Sequence, residues 1–89
     1  MSATALVTGS TGGIGAATAA LLAADGYDVV ISGRDADRGH AVAKQIDADG
    51  GAARFVAADL HDLDSLRALA DAAGPIDVLI NNAGMFPGG

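Results

Sequence analysis

Ala5-Leu-Val-Thr-Gly-Ser-Thr-Gly-Gly-Ile-Gly15 sets four glycines within seven residues directly behind a short apolar run. Glycine gives up more backbone freedom on folding than any other residue, so such a cluster needs a physical reason. A strand, a glycine turn and then a helix would bring main-chain N–H groups and the positive end of a helix to the mouth of a sheet, where a phosphate can sit. In that arrangement Gly9 permits the tight turn, Gly13 lets the main chain approach a pyrophosphate, and Gly15 lets the helix pack on the strand. A plain glycine-rich turn is the alternative, and the setting at the opening of a strand-helix-strand unit favours the dinucleotide reading. The phosphate loop of nucleotide triphosphatases is excluded, because it needs Lys and then Ser or Thr after its last glycine, and Gly15 is followed by Ala16-Ala17.

Beyond the turn, two hydrophobic patterns alternate. Residues 5–8, 27–32, 53–57 and 76–80 are short, largely apolar and rich in β-branched side chains, as strands covered on both faces should be. The segments between them carry helical spacing: Ile14, Ala17, Leu21 and Ala24 form one stripe, Val42 and Ile46 a second, and Leu63, Leu66, Ala70 and Ala73 a third. Gly26 and Gly74 are placed to close helices in a left-handed conformation, Gly50-Gly51 stops the middle helix, and either Asp62 or Asp59 caps the start of the third. The order β-α-β-α-β-α-β implies parallel strands joined by right-handed crossovers.

Composition narrows the function classes. The 89 residues are 51% hydrophobic and 18% charged, which suits one globular domain or part of one. The formal charge of −6, with the five basic residues scattered among eleven acids, argues against nucleic acid or an anionic membrane as partner. Cysteine is absent, so neither disulfides nor thiolate metal sites are available, and no metal site is expected. Without a basic, apolar leader at Met1 or an apolar run of membrane-spanning length, the expected compartment is the cytoplasm.

Three short motifs now point to one family. Thr8-Gly-Ser-Thr-Gly-Gly-Ile-Gly15 resembles the Thr-Gly-x-x-x-Gly-x-Gly cofactor motif of the short-chain dehydrogenases/reductases. Asp59-Leu60 resembles the family's Asp-hydrophobic pair after the third strand, and Asn81-Asn-Ala-Gly84 its Asn-Asn-Ala-Gly motif after the fourth. Gly12 also fits the glycine pattern of the extended branch, whereas residues 81–84 favour the main branch. The resemblance covers essentially the whole chain but only about the first third of a typical member. It implies an α/β fold, a Rossmann-type parallel sheet with helices on both faces and strand order 3-2-1-4, of which this chain would be the amino-terminal βαβαβαβ half.

Transferred position by position, the resemblance implies that Gly9, Ser10, Thr11, Gly12, Gly13, Ile14 and Gly15 hold the pyrophosphate. Asp59 would accept from the adenine amino group, with Leu60 assisting, and Asn82, Ala83 and Gly84 would line the adenosine ribose. A helix cap is the alternative role for Asp59, and a structural bridge between strands is preferred for Asn81. The choice of cofactor rests on the end of the second strand, where a carboxylate suits the ribose hydroxyls of NAD and a cation suits the 2′-phosphate of NADP. Gly33 stands where NAD-type members carry Asp, and Arg34 follows it with a guanidinium able to bind phosphate through two hydrogen bonds. NADP is therefore preferred over NAD. Asp35, at the spacing expected of an NAD acid, and Gly12, where many NADP-type members carry Arg or Lys, point the other way. The simpler reading of Arg34 is a solvated cation paired with Asp35 or Asp37.

The catalytic Tyr-x-x-x-Lys pair that the resemblance implies is not among these residues. Tyr27 is followed four residues later by Ile31, and it belongs to the wrong end of a sheet whose ligands bind at the carboxyl ends of its strands. Packing is the expected role of Tyr27, and His40 and His61 are expected on the surface. No residue is assigned to catalysis. Residues 1–89 thus read as the amino-terminal part of a single NAD(P)-binding Rossmann domain, incomplete at its carboxyl end. The implied activity of the complete protein is hydride transfer between NADP(H) and a small-molecule carbonyl or alcohol, in a homo-oligomer. The alternatives are a non-catalytic dinucleotide sensor and a truncated product without activity. The apolar fourth strand at the sheet edge predicts that the chain alone associates or is partly molten.

Overall fold

The computed structural model describes residues 3–9, 13–59 and 62–81, with the backbone alone for residues 13, 14, 66 and 81. Four strands and three helices alternate: β1 (Thr4–Thr8), α1 (Gly13–Ala24), β2 (Asp28–Gly33), α2 (Ala36–Ala48), β3 (Ala52–Ala57), α3 (Leu63–Ala73) and β4 (Val78–Asn81). The strands are all parallel and ordered β3-β2-β1-β4. This is the expected α/β Rossmann-type sheet. Strand β4 begins two residues later than the apolar pattern at 76–80 suggested, because Asp77 is used as a tie: its Oδ2 accepts from the Thr4 N–H at 2.9 Å and its own N–H donates to the Thr4 carbonyl at 2.9 Å.

The alternating side chains of the strands feed two cores. On one face Val7, Val29 and Ile31 pack with Ala19 and Ala23 of α1 and with Ala43 and Ile46 of α2. On the other, Leu6 and Val30 pack with Ala58 and with Leu69 and Ala73 of α3. Helices therefore lie on both faces, as parallel strands with two apolar sides require. Tyr27 is half-buried against the first core, in agreement with a packing role.

Two of the expected helix stripes are corrected. In α1 the buried positions are Gly15, Ala19 and Ala23, while Ala17 and Ala24 are exposed and Leu21 is 73% exposed. A helix that is apolar on nearly every side gives periodicity nothing to select, and small residues four apart win because they bring the helix axis close to the sheet. In α3 the core side chains are Leu69 and Ala73; Ala70 and Leu63 face solvent. The expected helix ends hold. Gly26, Gly50 and Gly74 all have positive φ, and the N–H groups of Tyr27 and Gly51 return to the carbonyls five residues back, Leu22 and Ile46, in the pattern of a Schellman cap.

Ser32, on β2 between Thr8 and Val56, is the exception to good pairing: its hydroxyl is buried and meets no partner among the described residues. An unpaired buried polar group costs about 1–3 kcal/mol. Ser32→Ala is therefore expected to unfold at the same temperature as the natural chain or a few degrees higher, checked by a thermal melt followed by circular dichroism. A lower midpoint would mean that the hydroxyl has a partner.

Candidate dinucleotide site at the carboxyl edge of the sheet

Each helix begins where the preceding strand ends, so the amino ends of α1, α2 and α3 gather at the carboxyl edge of the sheet. The positive ends of three helix dipoles therefore meet at this edge, with carboxylates capping α2 and α3.

The turn after β1 is fixed by Gly9, whose φ of 66° lies in the left-handed region and whose N–H donates to the Ser32 carbonyl at 2.9 Å. The chain leaves β1, makes one bond to the end of β2 and enters α1 at Gly13. Gly15 is buried, as close packing of helix on strand demands, and Gly9 is exposed. Ser10, Thr11 and Gly12, like Leu60, His61 and Asn82, Ala83 and Gly84, lie outside the described residues.

After β2 the chain bends at Arg34, which is exposed. Asp35 then caps α2, its Oδ1 accepting from the Arg38 N–H at 3.1 Å. Its other oxygen lies 3.7 Å from Arg38 Nε. The alternative pairing of Arg34 with Asp35 or Asp37 is thus not found: Asp35 serves a helix cap and Arg38, and Arg34 has no hydrogen bond or ion pair to a described residue. A carboxylate at the amino end of a helix is favoured by the dipole, which explains why Asp35 turns that way.

After β3 the Ala58 N–H donates to the Gly33 carbonyl at 3.0 Å, so the β3 exit is also tied to the end of β2. Asp59 follows, half-buried. The cap of α3 is Asp62, with its Oδ1 accepting from the N–H groups of Asp64 at 2.9 Å and Ser65 at 3.5 Å. The alternative of Asp59 as that cap is therefore set aside, since Asp59 holds the turn differently: its carbonyl accepts from the Asp62 N–H at 3.1 Å. Ser65, unnoticed from the sequence, takes the Asp59 N–H on its hydroxyl oxygen at 2.8 Å. The signal available for it was a serine three residues after a capping aspartate.

The same edge thus holds Gly9, the start of α1 at residues 13–15, Arg34 and Asp59, each at the exit of a successive strand. A cleft of about 340 Å³ at the opposite, amino-terminal edge is lined by Thr4, Asp28, Asp47, Ala52 and Arg54. No helix amino end among the described residues lines it, and the Arg54 guanidinium is already engaged with the carbonyls of Ala72 at 2.9 Å and Ala73 at 3.2 Å. His40 is exposed as expected, but its ring also meets Phe55 edge-on, with centroids 5.0 Å apart.

A family profile described as short chain dehydrogenase matches residues 3–89. Among curated proteins, human "Carbonyl reductase [NADPH] 1" is 45% identical over 86 residues, covering 91% of this chain and 31% of that protein. "L-rhamnose 1-dehydrogenase (NAD(P)(+))" of Azotobacter vinelandii is 45% identical over 92 residues, covering 94% of this chain and 36% of that protein. A solved structure described as a "short chain dehydrogenase/reductase family protein" superposes with a TM-score of 0.86 at 58% identity, over 96% of this chain and 35% of that one. The chain spans about a third of the length of these relatives. With its parallel sheet and the motifs at successive strand ends, the chain belongs to the short-chain dehydrogenase family.

Proposed function

We propose that residues 1–89 are the dinucleotide-binding part of an oxidoreductase that prefers NADP(H) and acts on a carbonyl or alcohol substrate. The observation that carries the preference is the division of charge after β2: Asp35 is engaged by the α2 cap and Arg38, and Arg34 beside it has no described partner. An acid committed to a helix end is poorly placed to accept from a ribose, whereas an exposed guanidinium can receive a 2′-phosphate. The relatives support the class of cofactor, one being described with NADPH and another with NAD(P)+.

In this reading the Gly9 to Gly15 turn holds the pyrophosphate on main-chain N–H groups, with Ser10, Thr11, Gly12, Gly13 and Ile14 completing it. Arg34 binds the 2′-phosphate, Asp59 with Leu60 receives the adenine, and Asn82, Ala83 and Gly84 line the ribose. When bound, the nicotinamide supplies or accepts the hydride; this chain's own residues grip and orient the adenosine and phosphate half. Assembly into homo-oligomers in the complete protein belongs to the same proposal.

Fluorescence titration tests it. NADPH added to the complete protein should show an enhanced, blue-shifted emission that saturates, and NADH should bind more weakly. Equal affinities would overturn the NADP preference, and no change with either nucleotide would overturn the site.

A further inference from the structure

We infer that Ser65 is a positioning residue for the adenine end of the site: its hydroxyl fixes the main chain of Asp59 and so aims the Asp59 carboxylate. The inference rests on the dinucleotide reading given above and adds to it a residue that touches no ligand.

A ring of hydrogen bonds carries the argument. Ser65 Oγ accepts from the Asp59 N–H at 2.8 Å, and the Asp59 carbonyl accepts from the Asp62 N–H at 3.1 Å. Asp62 in turn is held by the helix it caps, through the N–H groups of Asp64 and Ser65. On the strand side, the Ala58 N–H is bound to the Gly33 carbonyl. Both peptide groups flanking the Asp59 Cα are therefore anchored, one to the first turn of α3 and one to the turn that leads into it. These bonds fix the main chain on both sides of the Asp59 Cα, from which the carboxylate projects.

Ser65 does not have this geometry by default. At this place in a capped helix a Glu or Gln commonly turns its side chain back to the N–H of the cap residue. Here that N–H is already taken by the Asp59 carbonyl, so the serine oxygen reaches three residues further upstream. Ser65 is half-buried, which shields the bond from competition with water.

The test is a calorimetric titration of the complete protein that carries these residues with three probes: NADPH, 2′,5′-ADP and reduced nicotinamide mononucleotide, which lacks the adenosine. Ser65→Ala should weaken NADPH and 2′,5′-ADP by the same factor, about fivefold, as one hydrogen bond would. The mononucleotide should bind unchanged, and Ser65→Thr, which keeps the hydroxyl, should retain the natural affinities. Amide hydrogen exchange at Asp59 should quicken in Ser65→Ala while the amides in the middle of α3 keep their rates. If Ser65→Ala does not fold, Ser65→Cys, close in size and a weaker acceptor, is measured with the same expectations. Unchanged 2′,5′-ADP affinity, or equal loss for all three probes, would overturn the role of Ser65 while leaving the dinucleotide site standing. Failure of the natural chain to bind 2′,5′-ADP or NADPH would overturn both.

Discussion

Replacing Arg34 by alanine is expected to lower the affinity for NADPH about tenfold or more and to leave that for NADH within about twofold. Charge-assisted hydrogen bonds to a phosphate contribute about 1.5–3 kcal/mol, and every 1.4 kcal/mol is about a factor of ten in dissociation constant. Arg34 is exposed, so solvent screening places the effect toward the lower end of that range. Because Asp35 is bound to the cap of α2 and to Arg38, loss of the guanidinium does not release a carboxylate for the NAD ribose, and NADH should gain nothing. Paired fluorescence titrations with both nucleotides check this. Equal losses would remove Arg34 from the site.

Gly39→Val should produce the largest change in stability. Gly39 is buried in the first turns of α2, and a Cβ there would overlap Cδ1 and Cε1 of Phe55 and stand 2.7 Å from Cγ. Exchanging glycine for a better helix former would by itself gain less than about 1 kcal/mol. Overpacking costs about 1–3 kcal/mol, and a branched side chain against ring atoms falls at the upper end. The clash therefore wins. Moving Phe55 aside would also break its edge-on contact with His40 and its packing on the first core. For a domain of this size a net loss of about 2 kcal/mol lowers the midpoint of unfolding by roughly 10 °C or more. The double variant Gly39→Val with Phe55→Ala should lose less than the sum of the two single changes, because the clash is shared. Simple additivity in melts of the three variants would contradict the contact.

The helix boundaries were legible because local chemistry enforces them, whereas the strand order followed from the family resemblance. Gly26, Gly50 and Gly74 stand where positive φ is needed, and Asp62 is one of few side chains able to satisfy the first N–H groups of α3. The face of α1 was not legible. Its residues are apolar almost all round, so which side is buried is decided by how closely Gly15, Ala19 and Ala23 let the helix approach β1 and β2, a property of the assembled sheet. The same holds for β4, where the Asp77 carboxylate takes the Thr4 N–H just ahead of the strand.

In the site, Gly9 and Arg34 were readable as a turn and a cation at strand ends. The fate of Asp35 was not, because spacing along the chain suits an NAD acid and a helix cap equally; only the position of the Arg38 N–H distinguishes them. Ser65 escaped notice for a related reason. A serine at that place in a helix start is ordinary, and its significance comes from Asp59 being folded back upon it.

Nuclear magnetic resonance of the ¹⁵N-labelled chain, titrated with NADP+, tests the central claim most directly. The account predicts that the largest shifts fall on the amides of Gly9, residues 13–15, Arg34 and Asp59, at the carboxyl edge where the helices begin. Shifts confined to Asp28, Asp47 and residues 52–54, around the cleft at the opposite edge, would contradict it.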